Sequence, residues 1–198
     1  MMRLYKFFYS LIIPFFRILY RVRITGRENI PEGSAVVCAN HTSMTDPFFV
    51  AMAFGLREQL VFLGKIEVFR MPVIGAVLRG IQAIPVDRGS TSMSTLREAI
   101  SRLKEGRKVM IFPEGTRVKA NADASGAKTG AAMMACRADA PMLPVYISVK
   151  RKLFGRVDVI IGKPVDTHSF EGTGSAKYKA VVENVFCEIL SLGNGGES

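Results

Sequence analysis

A chain of 198 residues is about one domain of ordinary size and can bury a core without disulfide or metal staples. Hydrophobic residues at 48% with charged residues at 22% exclude an intrinsically disordered polymer. A formal net charge of +10 calls for an anionic partner: nucleic acid, a lipid surface or a phosphorylated substrate.

The charge begins at the amino end, where Arg3, Lys6, Arg17, Arg21, Arg23 and Arg27 occur without an acid. The uncharged run between Lys6 and Arg17 is ten residues, half of the roughly 20 that a membrane-spanning helix needs. On a helical wheel Arg3, Lys6, Ser10, Arg17 and Arg21 share one sector, with Leu4, Phe8, Leu11, Phe15, Ile18 and Leu19 opposite. Residues 1–25 are therefore expected to form an amphipathic helix lying in a membrane interface, its cations near lipid phosphates. The positions after Phe16 carry arginines where a secretory cleavage site would need small residues, so export is not expected.

From residue 34 onward, short apolar runs alternate with helical-period segments, the signature of an α/β fold with a mainly parallel central sheet flanked by helices. Strands are expected near Ala35–Ala39, Leu60–Leu63, Ile81–Val86, Val109–Phe112, Met142–Ser148 and Val157–Ile161. A helix is expected to start at Pro47, with others at Ser92–Lys104, Thr129–Arg137 and Lys177–Leu190. Lys119–Ala127 reads as a surface loop. Residues 26–192 thus form one expected domain and 193–198 a flexible tail.

Chemistry concentrates after the apolar runs. Asn40-His41-Thr42-Ser43-Met44-Thr45-Asp46 follows the first strand, at the sheet end where α/β folds gather ligands. A turn there can bring the Asp46 carboxylate onto one imidazole nitrogen of His41, leaving the other to take a proton from a hydroxyl. The alternative is that Asp46 merely caps the helix begun by Pro47. Pro113-Glu114-Gly115-Thr116-Arg117 ends a second strand. Gly115 permits close backbone approach to a ligand, and Arg117 offers a planar fork for phosphate. Lys65 and Arg88 fall past two further strands on the same predicted edge, so three cations are expected to converge on an anion. Cys38, Cys136 and Cys187 lack the close spacing of zinc or redox motifs and suit a reducing compartment. With only His41 and His168 as histidines, no histidine-rich metal cage is available, and no metal or cofactor is expected. Nucleophile-elbow, P-loop and dinucleotide motifs are absent from the sequence.

In this order, NHTSMTD, GKIEVFRMPVIG with VDRG, FPEGTR and LPVYI resemble the four motif blocks of the glycerolipid acyltransferase family, whose first block is HxxxxD. Among its members, the bacterial 1-acyl-glycerol-3-phosphate acyltransferases look most similar, over about residues 34 to 150. The resemblance implies that His41 is the general base and Asp46 its partner. It also implies that Arg88, Arg117 and Lys65 hold the acceptor phosphate, with Glu114, Gly115 and Thr116 in the acceptor site and Pro144 in support. The implied reaction moves a fatty acyl group from acyl-CoA or acyl carrier protein, as co-substrate, to the sn-2 hydroxyl of lysophosphatidate, giving phosphatidate. The implied location is the cytoplasmic face of a membrane, in contact with its lipids. Alternatives are acylation of glycerol-3-phosphate or another lysophospholipid, or a non-catalytic basic module binding lipid or nucleic acid. No recognisable nucleic-acid module occurs in the sequence, and no nucleic-acid partner is expected.

Overall fold

The computed structural model describes residues 2–56, 58–87, 93–114 and 127–195. Among these, seven strands build one sheet: β1 (Arg21–Thr25), β2 (Ala35–Ala39), β3 (Leu60–Lys65), β4 (Ile84–Val86), β5 (Lys108–Ile111), β6 (Met142–Ile147) and β7 (Arg156–Ile161). The helices are α1 (Met2–Leu19), α2 (Asp46–Phe54), α3 (Ile66–Phe69), α4 (Pro72–Gly80), α5 (Met93–Lys104), α6 (Gly130–Ala138) and α7 (Gly174–Asn194). The architecture is the expected α/β sheet flanked by helices.

Burial follows from strand position. β2 and β6 are apolar without alternation because both faces are covered. β7, nearer one side, alternates exposed or half-buried residues with Val157, Val159 and Ile161. On one face Phe49, Val50 and Met52 of α2 pack with Tyr5 and Ile13 of α1 against Val37, Leu143 and Val159. On the other, Leu96 and Leu103 of α5, Met134 of α6, and Val182, Phe186 and Ile189 of α7 pack against Val36, Val61 and Val109. Each large aliphatic or aromatic side chain fully buried in this way contributes roughly 1.5–3 kcal/mol.

Strand order is β1-β7-β6-β2-β5-β3-β4. β2 pairs parallel with β5 and β6, and β3 pairs parallel with β4 and β5. β7 is antiparallel to β6 but parallel to β1, so β1 and β7 run against the other five. The carboxyl ends of β2 to β6 therefore share a sheet edge with the starts of β1 and β7. Residues 40–46, Lys65, 112–114, the β6–β7 connection and the end of α1 all meet there.

Several expected boundaries move. The helix of residues 1–25 ends at Leu19, because Arg21–Thr25 pairs residue for residue with Arg156–Ile160 of β7. Backbone pairing with a strand distant in sequence outweighs the helical pattern read from basic spacing. The final helix runs to Asn194, beyond the expected tail boundary at 193. Gly193 is buried against the Tyr146 ring, where a Cβ would sit 2.5 Å from a ring carbon. The expected strand Ile81–Val86 contracts to Ile84–Val86 after α4.

Helix α1 has three faces. Tyr5 and Ile13 are buried, with Tyr9 and Phe16 packed on the core. Leu4, Phe7, Leu11, Phe15 and Ile18 form an outward apolar stripe, and Lys6, Ser10 and Arg17 lie exposed along its flank. α4 also exposes Val73 and Ile74. The helices touch at Gly80, where an added Cβ would come within 2.7 Å of Leu4. No described helix is long and apolar enough to cross a membrane.

Candidate active site

His41 follows β2 by one residue because Asn40 holds the strand end in place. The buried Asn40 amide donates to the Ile147 carbonyl at 2.9 Å, and its oxygen accepts the Ile147 N–H at 2.8 Å. One side chain thus satisfies both backbone groups at the end of β6, locking the two strand ends together.

The next five residues make a turn. The Ser43 hydroxyl pairs with the Thr45 hydroxyl at 3.0 Å, and the Asp46 N–H bonds the Ser43 carbonyl at 3.2 Å. Asp46 opens α2 with Pro47 behind it, a residue that loses no helical bond at this position. The Asp46 side chain is fully buried and turns back over the turn. Its Oδ2 accepts the Thr42 and Ser43 amides at 2.7 and 2.8 Å and lies 2.9 Å from His41 Nδ1. Burial alone would raise its pKa. Hydrogen bonds from His41 and the Ser43 amide, together with the charge of Arg151, outweigh this and hold Asp46 below the usual carboxylate range. An ionised carboxylate can only accept, so Nδ1 carries the proton. The ring stacks on Phe112 with centroids 3.9 Å apart. Among the described residues Nε2 has no hydrogen-bond partner. The imidazole is thereby fixed in tautomer and plane with its second nitrogen free to accept.

Glu114, three residues past the end of β5, completes the cluster. Its Oε2 accepts the His41 backbone N–H at 3.2 Å. Burial is the largest influence on its proton, which the His41 hydrogen bond opposes and the nearby Asp46 charge reinforces; the carboxyl is pushed up from 4.5 to about 7.

Of the residues singled out in the sequence, His41, Asp46 and Glu114 are thus joined directly. Lys65 lies at the same sheet edge, at the end of β3, but its exposed ammonium pairs with Glu67 at 3.1 Å. No described bond links it to His41. Arg88, Gly115, Thr116 and Arg117 fall outside the described residues, as does most of Lys119–Ala127. Pro144 lies within β6 beside Cys38 of β2, and its carbonyl accepts the Gly162 N–H at 2.9 Å. Cys38 is buried, and desolvation drives its thiol pKa far upward, leaving it inert as a nucleophile. Among the described residues no cluster of His, Cys, Asp or Glu is arranged to hold a metal ion.

Arg151 is the participant that the sequence reading missed. It extends from the β6–β7 connection, and its guanidinium donates to Asp46 Oδ1 and to the Thr42 hydroxyl. Within a Lys-Arg-Lys run it carries no local signal. The only cue was topological: a chain leaving β6 departs from the same sheet edge as His41.

The chain belongs to the acyltransferase family, whose sequence model matches residues 21–148. It is 31% identical over 173 residues to the 1-acyl-sn-glycerol-3-phosphate acyltransferase of Bacillus subtilis, covering 84% of this chain and 85% of that one. Identity to the corresponding enzyme of Borreliella burgdorferi is 34% over 130 residues, 64% of this chain and 51% of that one. The crystal structure of the 1-acyl-sn-glycerophosphate (LPA) acyltransferase of Thermotoga maritima superposes with a TM-score of 0.63 at 28% identity. That match covers 88% of this chain and 70% of the Thermotoga chain.

Glu114 gives a measurable signature. An acid that holds its proton more tightly in the folded than in the unfolded chain stabilises the fold fully below about pH 4.5. That contribution disappears as the pH rises through about 7. Glu114→Gln retains an acceptor for the His41 amide but does not titrate. Urea unfolding across this range should therefore show wild type losing stability relative to the variant as pH rises. Parallel stability curves would contradict the assigned environment.

Proposed function

We propose that the chain is a 1-acyl-sn-glycerol-3-phosphate O-acyltransferase in which His41 is the general base and Asp46 its orienting partner. The observation that carries this is the 2.9 Å contact between buried Asp46 and Nδ1 of His41, in a family member whose relatives carry that activity by name. With Nδ1 committed to Asp46, Nε2 takes the proton of the sn-2 hydroxyl as that oxygen attacks the thioester carbonyl. A C–O bond forms, the C–S bond breaks, and the imidazolium returns the proton to the departing thiolate. Acyl transfer occurs directly between the two substrates, without an acyl-enzyme.

Arg88, Arg117 and Lys65 bind the acceptor phosphate, with Glu114, Gly115 and Thr116 shaping the site around it. Several cations on one acceptor suit a dianionic headgroup. The donor is the thioester of coenzyme A or of acyl carrier protein, one phosphorylated and the other typically acidic; a basic surface suits both.

The protein works on the membrane surface that supplies its acceptor. The outward stripe of α1 and the exposed apolar residues of α4 enter the acyl region, while Lys6 and Arg17 reach the phosphates. Beside them, Arg17, Arg21, Arg23 and Arg156 line an open groove of about 680 Å³, whose charge favours anionic headgroups.

Mass spectrometry of lipids formed on vesicles from lysophosphatidate and an acyl thioester tests the chemistry. Phosphatidate should accumulate with wild type, whereas His41→Ala, folded by circular dichroism, should lose at least about 100-fold in rate. Comparable turnover by the variant would overturn the base assignment, and product only from another acceptor would overturn the substrate. For the membrane, the double variant Leu11→Asp, Phe15→Asp should cosediment poorly with vesicles containing anionic lipid. Unchanged sedimentation would exclude the α1 stripe as the contact.

A further inference from the structure

Arg151 is a charged side chain only 8% exposed, in a position where a cation must be matched by strong partners. Among the described residues, its hydrogen bonds all go to one five-residue turn. Nη1 donates to Oδ1 of Asp46 and, at 3.4 Å, to the Thr45 hydroxyl, while Nη2 donates to the Thr42 hydroxyl. The guanidinium also lies 5.4 Å from the centre of the Phe49 ring, on the same helix as Asp46. The connection that carries it is tied down on both sides. Asn40 clamps Ile147 before it, and the Phe154 N–H bonds the Leu19 carbonyl after it. Asp46 therefore receives four donors: His41 and two amides on Oδ2, and Arg151 on Oδ1. Those are about as many as a carboxylate can accept.

We propose that Arg151 is a positioning residue of the dyad, fixing the Asp46 carboxylate toward His41 Nδ1 and offsetting its charge so that the imidazole remains a neutral, usable base. This role rests on His41 being the base. An unshielded carboxylate beside Nδ1 favours the imidazolium, which has no lone pair to accept a hydroxyl proton. A fixed cation on the far oxygen works against that protonation. Among the described residues, the titratable groups facing His41 are Asp46 from α2 and Glu114, three residues past β5, both acids. Arg151 is the cation that balances the Asp46 carboxylate. Arg151 has no described contact with His41, so its effect is exerted through the carboxylate.

The test is the pH dependence of kcat and KM for lysophosphatidate, measured with wild type, Arg151→Gln and Arg151→Lys in detergent micelles. For Arg151→Gln the acidic limb of kcat should move to higher pH by about one pH unit. That is a roughly ten-fold loss below the limb, shrinking as pH rises, with KM within about two-fold. Arg151→Lys keeps the charge but loses the fork. It should hold the limb at the wild-type position with a few-fold loss of kcat, which keeps the proposal testable if the Gln variant does not fold. A loss of equal size at every pH, a loss confined to KM, or a displaced limb in Arg151→Lys would overturn the proposal. Failure of the base assignment is recognised separately, by turnover in His41→Ala.

Discussion

The carboxylate of Asp46 is the point on which the site's geometry depends. It is fully buried and gathers two amides of its own turn, the imidazole of His41 and the guanidinium of Arg151. Removing a buried anion from water costs several kcal/mol, and only strong donors in good geometry offset that cost. The same donors define the site: the amides fix the turn, His41 acquires a tautomer, and Arg151 ties in a chain segment more than a hundred residues away. One ion organises both the local backbone and the proposed proton transfer.

Topology makes this convergence possible. Because β7 reverses direction after β6 and β1 follows β7, the β6–β7 connection and the end of α1 arrive at the edge where β2, β3 and β5 end. The proposed base, the acidic neighbours that tune it and the proposed membrane-facing helix are thus brought together by strand direction. Asn40 and Glu114 carry that order to the backbone of His41, one through the end of β6 and the other through the amide of His41 itself.

Much of this was legible in the sequence because its signals are local. Ala35–Ala39 is an uninterrupted apolar run and forms β2 with those bounds. The five-residue spacing of His41 and Asp46 is what a single turn needs to bring the two side chains together. β1 was not legible: Arg-Val-Arg-Ile-Thr extends a basic pattern that suits an amphipathic helix, and only its pairing with β7 makes it a strand. Arg151 was invisible for a related reason. Its neighbours in sequence are exposed lysines, and its burial exists only once two distant turns are apposed. α1 was half legible. The wheel separated basic from apolar residues, but the division of the apolar side into a core face around Tyr5 and Ile13 and an outward face around Leu11 and Phe15 depends on where the sheet lies.

The central claim is that Asp46 holds the proton on Nδ1 of His41 and leaves Nε2 bare to receive another. With only two histidines in the chain, nitrogen-15 NMR of the selectively labelled imidazoles at neutral pH reads this directly, using a His168→Gln variant to assign the signals. The account predicts that His41 is protonated at Nδ1 with an unprotonated Nε2, and that this preference is lost in Asp46→Asn. A His41 ring protonated at Nε2, or an Asp46→Asn ring indistinguishable from wild type, would contradict it.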